Sequence, residues 1–151
     1  MTTSKSSEVY LVDTSAWVEY FRRTGSKAHL EVRRMVRRET PTAGITEPVI
    51  MELLAGARDT ENFRRIERVT DAMPLLEVYP FCDFGEAGSL FLTLRRKGKT
   101  IRSMTDCIIA SVAWRLQATL VHADRDFDTI AEHYPELQVM SLAPRARTIP
   151  R

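Results

Sequence analysis

Short apolar runs alternate along this chain with longer segments that have the periodicity of an amphipathic helix, and this alternation restricts the fold more than any other feature. The apolar runs predict strands at 9–12, 42–45, 75–79, 120–121 and 137–140. The helical segments begin after residue 13, cover 26–39, 46–56, 59–72 and 84–97, and begin again at 103 and 127. Strands separated by helices predict an α/β fold, a three-layer α/β/α sandwich with a central, mostly parallel sheet.

A chain of 151 residues has the length of one domain, and its 44% hydrophobic and 28% charged residues are typical of a globular protein. The polar start lacks the apolar core of a signal peptide, and no apolar run approaches the roughly 20 residues that span a bilayer. We therefore expect a flexible N-terminus over 1–8, one folded domain over 9–143 and a basic C-terminal tail over 144–151. We also expect a cytoplasmic location without membrane contact.

The two cysteines, Cys82 and Cys107, have neither the CxxC spacing nor the neighbouring histidines of a metal-binding motif. A disulfide framework and a structural zinc site are therefore disfavoured, and the sequence predicts reduced, packed thiols.

The basic residues are mostly arginines, with 18 arginines and four lysines among 22, although the formal net charge is only +2. Many of them are clustered, at 22–23, 33–38, 64–68 and 95–102. The planar guanidinium group matches the geometry of phosphate, which favours a polyanionic substrate. Solvated helix faces explain any single cluster equally well.

Four carboxylates occupy positions that point to the same end of the predicted sheet. Asp13 and Asp124 each follow a short apolar strand, Asp106 lies in the first turn of a helix, and Glu52 lies within a helix. In open parallel sheets, ligands bind outside the carboxyl ends of the strands. We therefore expect these four side chains to share one pocket.

Several carboxylates in one pocket repel each other and cannot all remain ionised without a cation. Ligation by oxygen alone favours Mg²⁺, with Mn²⁺ as a substitute, over zinc, and such ions also bind phosphate oxygens. The predicted chemistry is phosphodiester hydrolysis, in which a divalent ion makes a histidine base unnecessary. His122 lies beside the pocket, and a packed or solvent-facing side chain at the end of a strand is the favoured interpretation over contact with substrate.

Each carboxylate also has a purely structural explanation. Asp13 can cap a helix, Asp106 can complement a helix dipole, and Glu52 can be a surface residue. Asp124 and Asp126 can both be turn formers. Of these two we predict Asp124 as the metal-site carboxylate and Asp126 as a supporting residue, which can cap the following helix and can assist the site through water.

Four segments together resemble the motifs of PIN domains, in particular those of VapC toxins. They are YLVDTSAW at 10–17, EPVIMELLAG at 47–56, SMTDCIIA at 103–110 and LVHADRDF at 120–127. Their order and spacing cover residues 9–140, nearly the whole chain. The resemblance implies a PIN-like fold and assigns Asp13, Glu52, Asp106 and Asp124 to the metal site.

The same resemblance implies a magnesium-dependent endoribonuclease that cleaves structured RNA, such as a transfer RNA or ribosomal RNA loop, and thereby arrests translation. It also implies a homodimer, neutralisation by a VapB-type antitoxin, and a heterotetramer or larger assembly with that antitoxin. Ser15 is expected either to support the site or to cap a helix. Arg102 is expected either to contact substrate phosphate or to remain a free surface charge.

Three other functions can be compared with the sequence. A phospho-accepting receiver needs a lysine after a late strand, and none of the four lysines follows one. A haloacid-dehalogenase-type phosphatase needs Asp-x-Asp after the first strand, where this chain has Asp13, Thr14 and Ser15. A catalytically inactive module that binds RNA or antitoxin is disfavoured because all four acids are present.

Overall fold

The computed structural model describes residues 8–38 and 42–144. Apart from Glu8 and Pro144, the predicted flexible N-terminus and basic tail lie outside these residues. In chain order the elements are β1 (Tyr10–Val12), α1 (Thr14–Arg22), α2 (Lys27–Val36), β2 (Ala43–Gly44), α3 (Glu47–Ala55), α4 (Thr60–Asp71), α5 (Pro80–Arg96), α6 (Met104–Arg115), β3 (Thr119–His122), α7 (Arg125–His133) and β4 (Val139–Ser141).

The four strands form one parallel sheet in the order β2-β1-β3-β4, flanked by the helices, which confirms the predicted three-layer α/β/α fold. Leu11 pairs with Gly44 on one side and with Leu120 on the other. The chain moves from β1 to β2 in one direction and later crosses back to β3 in the other. The strand order therefore reverses between β1 and β3, and a reversal of this kind opens a crevice at the carboxyl ends of the two strands.

The core lies around the two central strands, in which Leu11, Val12, Leu120 and Val121 are fully buried. Because both faces of a parallel sheet are covered by helices, these strands are continuous apolar runs without alternating polar residues. Trp17 of α1 and Phe127 of α7 are the largest side chains buried against them. Both belong to helices that begin directly after a central strand, so the core fixes the first turns of α1 and α7.

The segment predicted as a strand at 75–79 forms only one bridge, between Leu75 and Ile45, so this prediction is wrong. In this segment, main-chain N–H groups that a strand would donate to a neighbouring strand donate to side-chain carboxylates instead. Glu47 accepts the N–H of Val78 at 2.9 Å, and Asp83 accepts the N–H of Tyr79 at 2.7 Å. Two helices also begin earlier than predicted, α5 at residue 80 and α7 at residue 125.

Gly44 is required by the close approach of this segment to β2. A Cβ atom at Gly44 would lie 2.6 Å from the side chain of Leu76 and 2.8 Å from the carbonyl oxygen of Pro74. Ile45 exchanges backbone hydrogen bonds of 2.8 and 2.9 Å with the same two residues. The segment therefore lies against the outer side of β2 even though it is not a regular strand.

An ion pair with a buried carboxylate, between Asp83 and the partly buried Arg115, fixes the other end of α6. The guanidinium of Arg115 donates to both carboxylate oxygens of Asp83, at 3.0 and 2.9 Å, and to the carbonyl oxygen of Glu77 at 2.7 Å. It also lies 4.0 Å from the centre of the Tyr79 ring. This pair joins α5, α6 and the segment before α5 at the end of α6 opposite to Asp106.

Among the described residues, no helix combines the length and the apolar character needed to cross a membrane.

Candidate metal centre

The loops after β1 and β3 meet at the reversal point of the sheet. The side chain of Asp13 caps α1 after β1, and that of Asp124 caps α7 after β3. The hydroxyl of Ser15 joins the two loops, because it donates to Oδ2 of Asp13 at 2.6 Å and accepts the N–H of Ala123 at 2.9 Å. The strands thus deliver both aspartates to one crevice, and Ser15 fixes the loops relative to each other.

Asp13 is the most buried acid of the crevice, with 3% of its surface exposed. Its Oδ2 accepts two hydrogen bonds from Ser15, but its Oδ1 is buried without a hydrogen-bond partner among the described residues. Burial raises the pKa of Asp13 to about 6, although the hydrogen bonds from Ser15 oppose this rise. A buried carboxylate oxygen without a partner is costly, and a nearby cation would remove that cost.

Asp106 lies in the first turn of α6, where the negative charges of the other acids act on it. Burial raises the pKa of Asp106 to about 7, and repulsion by Asp13, Asp124, Glu52 and Asp126, in decreasing order, adds to the effect. The negative charge of the crevice is therefore concentrated around Asp106.

Three carboxylates offer oxygen atoms that all lie within 4.8 Å of one another, namely those of Asp106, Asp124 and Asp126. This separation allows one ion to contact all three. A set of ligands made only of carboxylate oxygens suits a hard cation such as Mg²⁺ or Mn²⁺. These three carboxylates and the unpartnered oxygen of Asp13 fit a divalent ion of this class.

Glu52 belongs to the same crevice but lies outside the closest group. Its Oε1 accepts the hydroxyl of Thr14 at 2.8 Å, which links α3 to the first turn of α1. Its charge contributes to the raised pKa values of Asp13 and Asp106. The pairing of Thr14 with Glu52 was not predicted from the sequence, where nothing signals a contact between residues 38 positions apart.

Asp124, and not Asp126, caps α7. Its Oδ1 accepts the N–H of Asp126 at 2.9 Å, so the prediction that Asp126 caps this helix is wrong. Asp124 occupies the cap because it has extended backbone geometry directly before the helix, whereas Asp126 lies inside the first turn. This arrangement turns the carboxylate of Asp126 toward Asp106, and Asp126 joins the closest group.

Arg102 is the positive charge at the rim of the crevice. Its Nε lies 3.3 Å from Asp126 and its Nη2 3.4 Å from Asp124, while 76% of the side chain remains exposed. These are long contacts, and exposed ion pairs of this kind contribute little to stability. The guanidinium is therefore able to leave the carboxylates for another anion at little cost.

His122 is packed and has no exposed surface, which excludes the solvent-facing position that the sequence also allowed. Burial lowers the pKa of His122, and its Nδ1 accepts the N–H of Asp124 at 3.3 Å. Asp128 was not identified from the sequence, yet its carboxylate lies 3.4 Å from the other ring nitrogen.

A large depression elsewhere on the surface is lined by Glu8, Trp114 and Arg115, among others, and contains none of the predicted site residues. The crevice at the sheet is thus identified by its chemistry and not by its size.

Comparison with known proteins gives one consistent result. Residues 10–133 match the PIN domain family. Ribonuclease VapC11 of Mycobacterium tuberculosis and VapC ribonuclease Mb1587 of Mycobacterium bovis are each 47% identical over 121 residues, which cover 80% of this chain and 90% of the relative.

Solved structures agree in fold. VapBC-1 from nontypeable Haemophilus influenzae has a TM-score of 0.66 at 23% identity and covers 89% of this chain and 98% of that chain. VapBC2 from Rickettsia felis, bound to a DNA fragment from its promoter, has a TM-score of 0.65 at 22% identity. The match covers 88% of this chain and 98% of that chain. VapC20 of Mycobacterium tuberculosis, described as a sarcin-ricin loop cleaving toxin, has a TM-score of 0.58 at 18% identity and covers 80% and 93%.

Proposed function

Since this chain belongs to the VapC ribonucleases of the PIN domain family, we propose that it is a magnesium-dependent endoribonuclease that cleaves a structured RNA and so arrests translation in the cytoplasm. The observation that carries the proposal is the group of three aspartate oxygens within 4.8 Å of one another, beside the buried and unpartnered Oδ1 of Asp13. Mn²⁺ is expected to substitute for Mg²⁺, because both ions prefer oxygen ligands.

Asp106, Asp124 and Asp126 hold the metal ion in this proposal, with Asp13 facing it from β1. When bound, the ion supplies Lewis-acid stabilisation of the charge that develops on the phosphate. Ser15 orients Asp13, since its backbone N–H and hydroxyl both donate to Oδ2 and leave Oδ1 for the ion. Glu52 adds negative charge and is held toward the crevice by Thr14.

Arg102 binds a substrate phosphate next to the reacting one. Its guanidinium is largely exposed and already lies at the rim of the acidic group. A crevice of carboxylates repels RNA, so a positive side chain at its edge is needed to hold the polyanion close.

We further propose that a VapB-type antitoxin inhibits this chain by covering the crevice. Two of the matching structures are VapBC complexes, and the concentrated negative charge around Asp106 favours an arginine or lysine from a partner. A stoichiometric complex that retained ribonuclease activity would rule out this covering. The proposed homodimer, and a heterotetramer or larger assembly with antitoxin, can be measured by light scattering of the purified toxin and complex.

The direct test is cleavage of total RNA by the purified chain in Mg²⁺, in Mn²⁺ and in chelator, with mapping of the new RNA 5′ ends. Cleavage at a few defined loops that requires the metal supports the proposal. Asp13→Asn and Asp106→Asn should abolish it while the protein stays folded. Metal binding without cleavage of any RNA would instead favour an inactive module that binds RNA or antitoxin.

A further inference from the structure

His122 fixes the loop that carries Asp124 through both its side chain and its main chain. Its Nδ1 accepts the N–H of Asp124 at 3.3 Å. Its carbonyl oxygen accepts the N–H of Leu142 at 2.7 Å, which ties the end of β3 to the segment after β4. The main-chain nitrogen of Asp124 is therefore held by the buried ring of His122.

The ring of His122 lies among Asp124, Asp128 and Phe127. A neutral ring whose Nδ1 accepts an N–H carries its own proton on Nε2. That nitrogen lies 3.4 Å from Oδ1 of Asp128, which is within hydrogen-bonding distance but is not aligned as a hydrogen bond. The other oxygen of Asp128 accepts the hydroxyl of Ser141 on β4 at 3.1 Å. The ring also packs against Phe127, with 5.2 Å between the ring centres.

We propose that His122 is a positioning residue of the metal centre, which places the carboxylate of Asp124 by holding its main chain, while Asp128 keeps the imidazole in the required orientation. The inference rests on the proposed function, because it assumes that Asp124 binds the ion. An aspartate side chain has only two rotatable bonds, so the place of its main chain largely determines where its oxygens lie. Asp124 also accepts the N–H of Asp126, and a displacement therefore reaches a second ligand.

Two substitutions at His122 separate this role from simple packing. His122→Asn can keep an acceptor near the position of Nδ1, whereas His122→Leu fills similar space without one. We expect the Kd for Mn²⁺, measured by calorimetry on the purified metal-free chain, to weaken by roughly tenfold in His122→Leu, which is typical when a residue supporting a metal ligand is lost. His122→Asn should keep most of the affinity. Equal losses in both variants, or an unchanged Kd in His122→Leu, would overturn the inference.

His29 provides a matched control. It is also buried, and its Nδ1 accepts the N–H of Gly25 at 2.9 Å, at the turn between α1 and α2. His29→Leu should lower the melting temperature without changing the Kd for Mn²⁺. A comparable loss of metal affinity in this variant would show that His122→Leu acts only through general destabilisation.

If His122→Leu fails to fold, Asp128→Asn decides the matter, because the buried ring stays in place and loses only the charge that faces it. A weakened Kd for Mn²⁺ in a folded Asp128→Asn protein supports the inference, and an unchanged Kd overturns it. Wild-type protein that binds no Mn²⁺ would refute the proposed function together with this inference. Normal binding in wild type and in all of these variants would refute the inference alone.

Discussion

Ser15 donates its hydroxyl proton to Oδ2 of Asp13 at 2.6 Å, and the same hydroxyl oxygen accepts the N–H of Ala123 at 2.9 Å. One small side chain therefore sets both the direction of the Asp13 carboxylate and the separation of the two loops. From the sequence alone, Ser15 was expected either to support the site or to cap a helix. In the structure the capping side chain is that of Asp13, and Ser15 lies between the strands that carry the acids.

Ser15→Ala should weaken the Kd for Mn²⁺ by roughly tenfold, as expected when a group that orients a metal ligand is removed. The N–H of Ala123 also loses its acceptor, so the free energy of unfolding should fall by about 1 to 2 kcal/mol. Calorimetry and urea unfolding measure the two effects. Ser15→Thr keeps a hydroxyl and should retain most of the affinity, and an unchanged Kd in Ser15→Ala would contradict the orienting role.

Asp124→Asn and Asp126→Asn should both weaken metal binding and cleavage. We expect the larger loss of metal affinity and of cleavage rate in Asp124→Asn. The N–H of Asp124 donates to His122 and its carboxylate accepts the N–H of Asp126, so hydrogen bonds hold both its main chain and its side chain. Asparagine is as good a helix cap as aspartate, so Asp124→Asn should remain stable. Metal affinity and single-turnover cleavage of both variants test the ranking, which a larger loss of affinity in Asp126→Asn would reverse.

In the metal-free protein, Asp13 and Asp106 together should contribute less to stability as the pH rises from about 4 to 7. Burial and mutual repulsion raise the pKa values of Asp13 to about 6 and of Asp106 to about 7, so the folded state binds more protons than the unfolded chain in this range. This contribution to stability is complete at a pH below the pKa values of the two aspartates in the unfolded chain. It is lost as the pH rises through their pKa values in the folded state, about 6 and about 7.

Mg²⁺ should reverse that loss, and should therefore raise the melting temperature more at pH 7.5 than at pH 5. An ion at ten times its Kd stabilises the fold by about 1.4 kcal/mol, or roughly 3 to 6 °C for a domain of this size. Calorimetric melts with chelator or Mg²⁺ at both pH values measure this difference. The same increase in melting temperature at both pH values would argue against coupling between the ion and the two aspartates whose pKa values are raised.

Arg102→Met should tighten metal binding a few-fold in the absence of RNA, because a positive charge leaves the neighbourhood of Asp124 and Asp126. In cleavage assays the same variant should raise KM by roughly tenfold, through loss of one charged hydrogen bond to phosphate. These opposite changes distinguish a contact with phosphate from a structural role. Arg102→Lys keeps the charge and should lie between Arg102→Met and wild type. A KM equal to that of wild type in Arg102→Met would refute the contact.

Arg115→Met should destabilise the fold without affecting the metal centre. It leaves the buried carboxylate of Asp83 without its partner, and breaking such a pair costs about 3 kcal/mol. Urea unfolding should show this loss, while the Kd for Mn²⁺ of the folded protein stays at the wild-type value. A changed Kd would mean that the far end of α6 influences Asp106.

The parts of the fold and site that were predictable depend on local sequence or on a general rule of sheet topology. The core strands were found because both faces are buried, and Asp13 and Asp124 were placed together because parallel strands end at one edge. The predicted strand at 75–79 does not form, because two of its main-chain N–H groups donate to the carboxylates of Glu47 and Asp83. The pair of His122 and Asp128 could not be foreseen, since it depends on how α7 packs on the end of β3.

The segment from Pro74 to Leu76 also closes one border of the sheet. β2 has only two residues, and the packing of Leu76 over Gly44 leaves no space for another chain beside it. Exposed borders of sheets are where protein chains add strands to one another and aggregate. On this side the main chain of Ile45, directly after β2, is already hydrogen-bonded to Pro74 and Leu76, so these groups are not available to a strand of another chain.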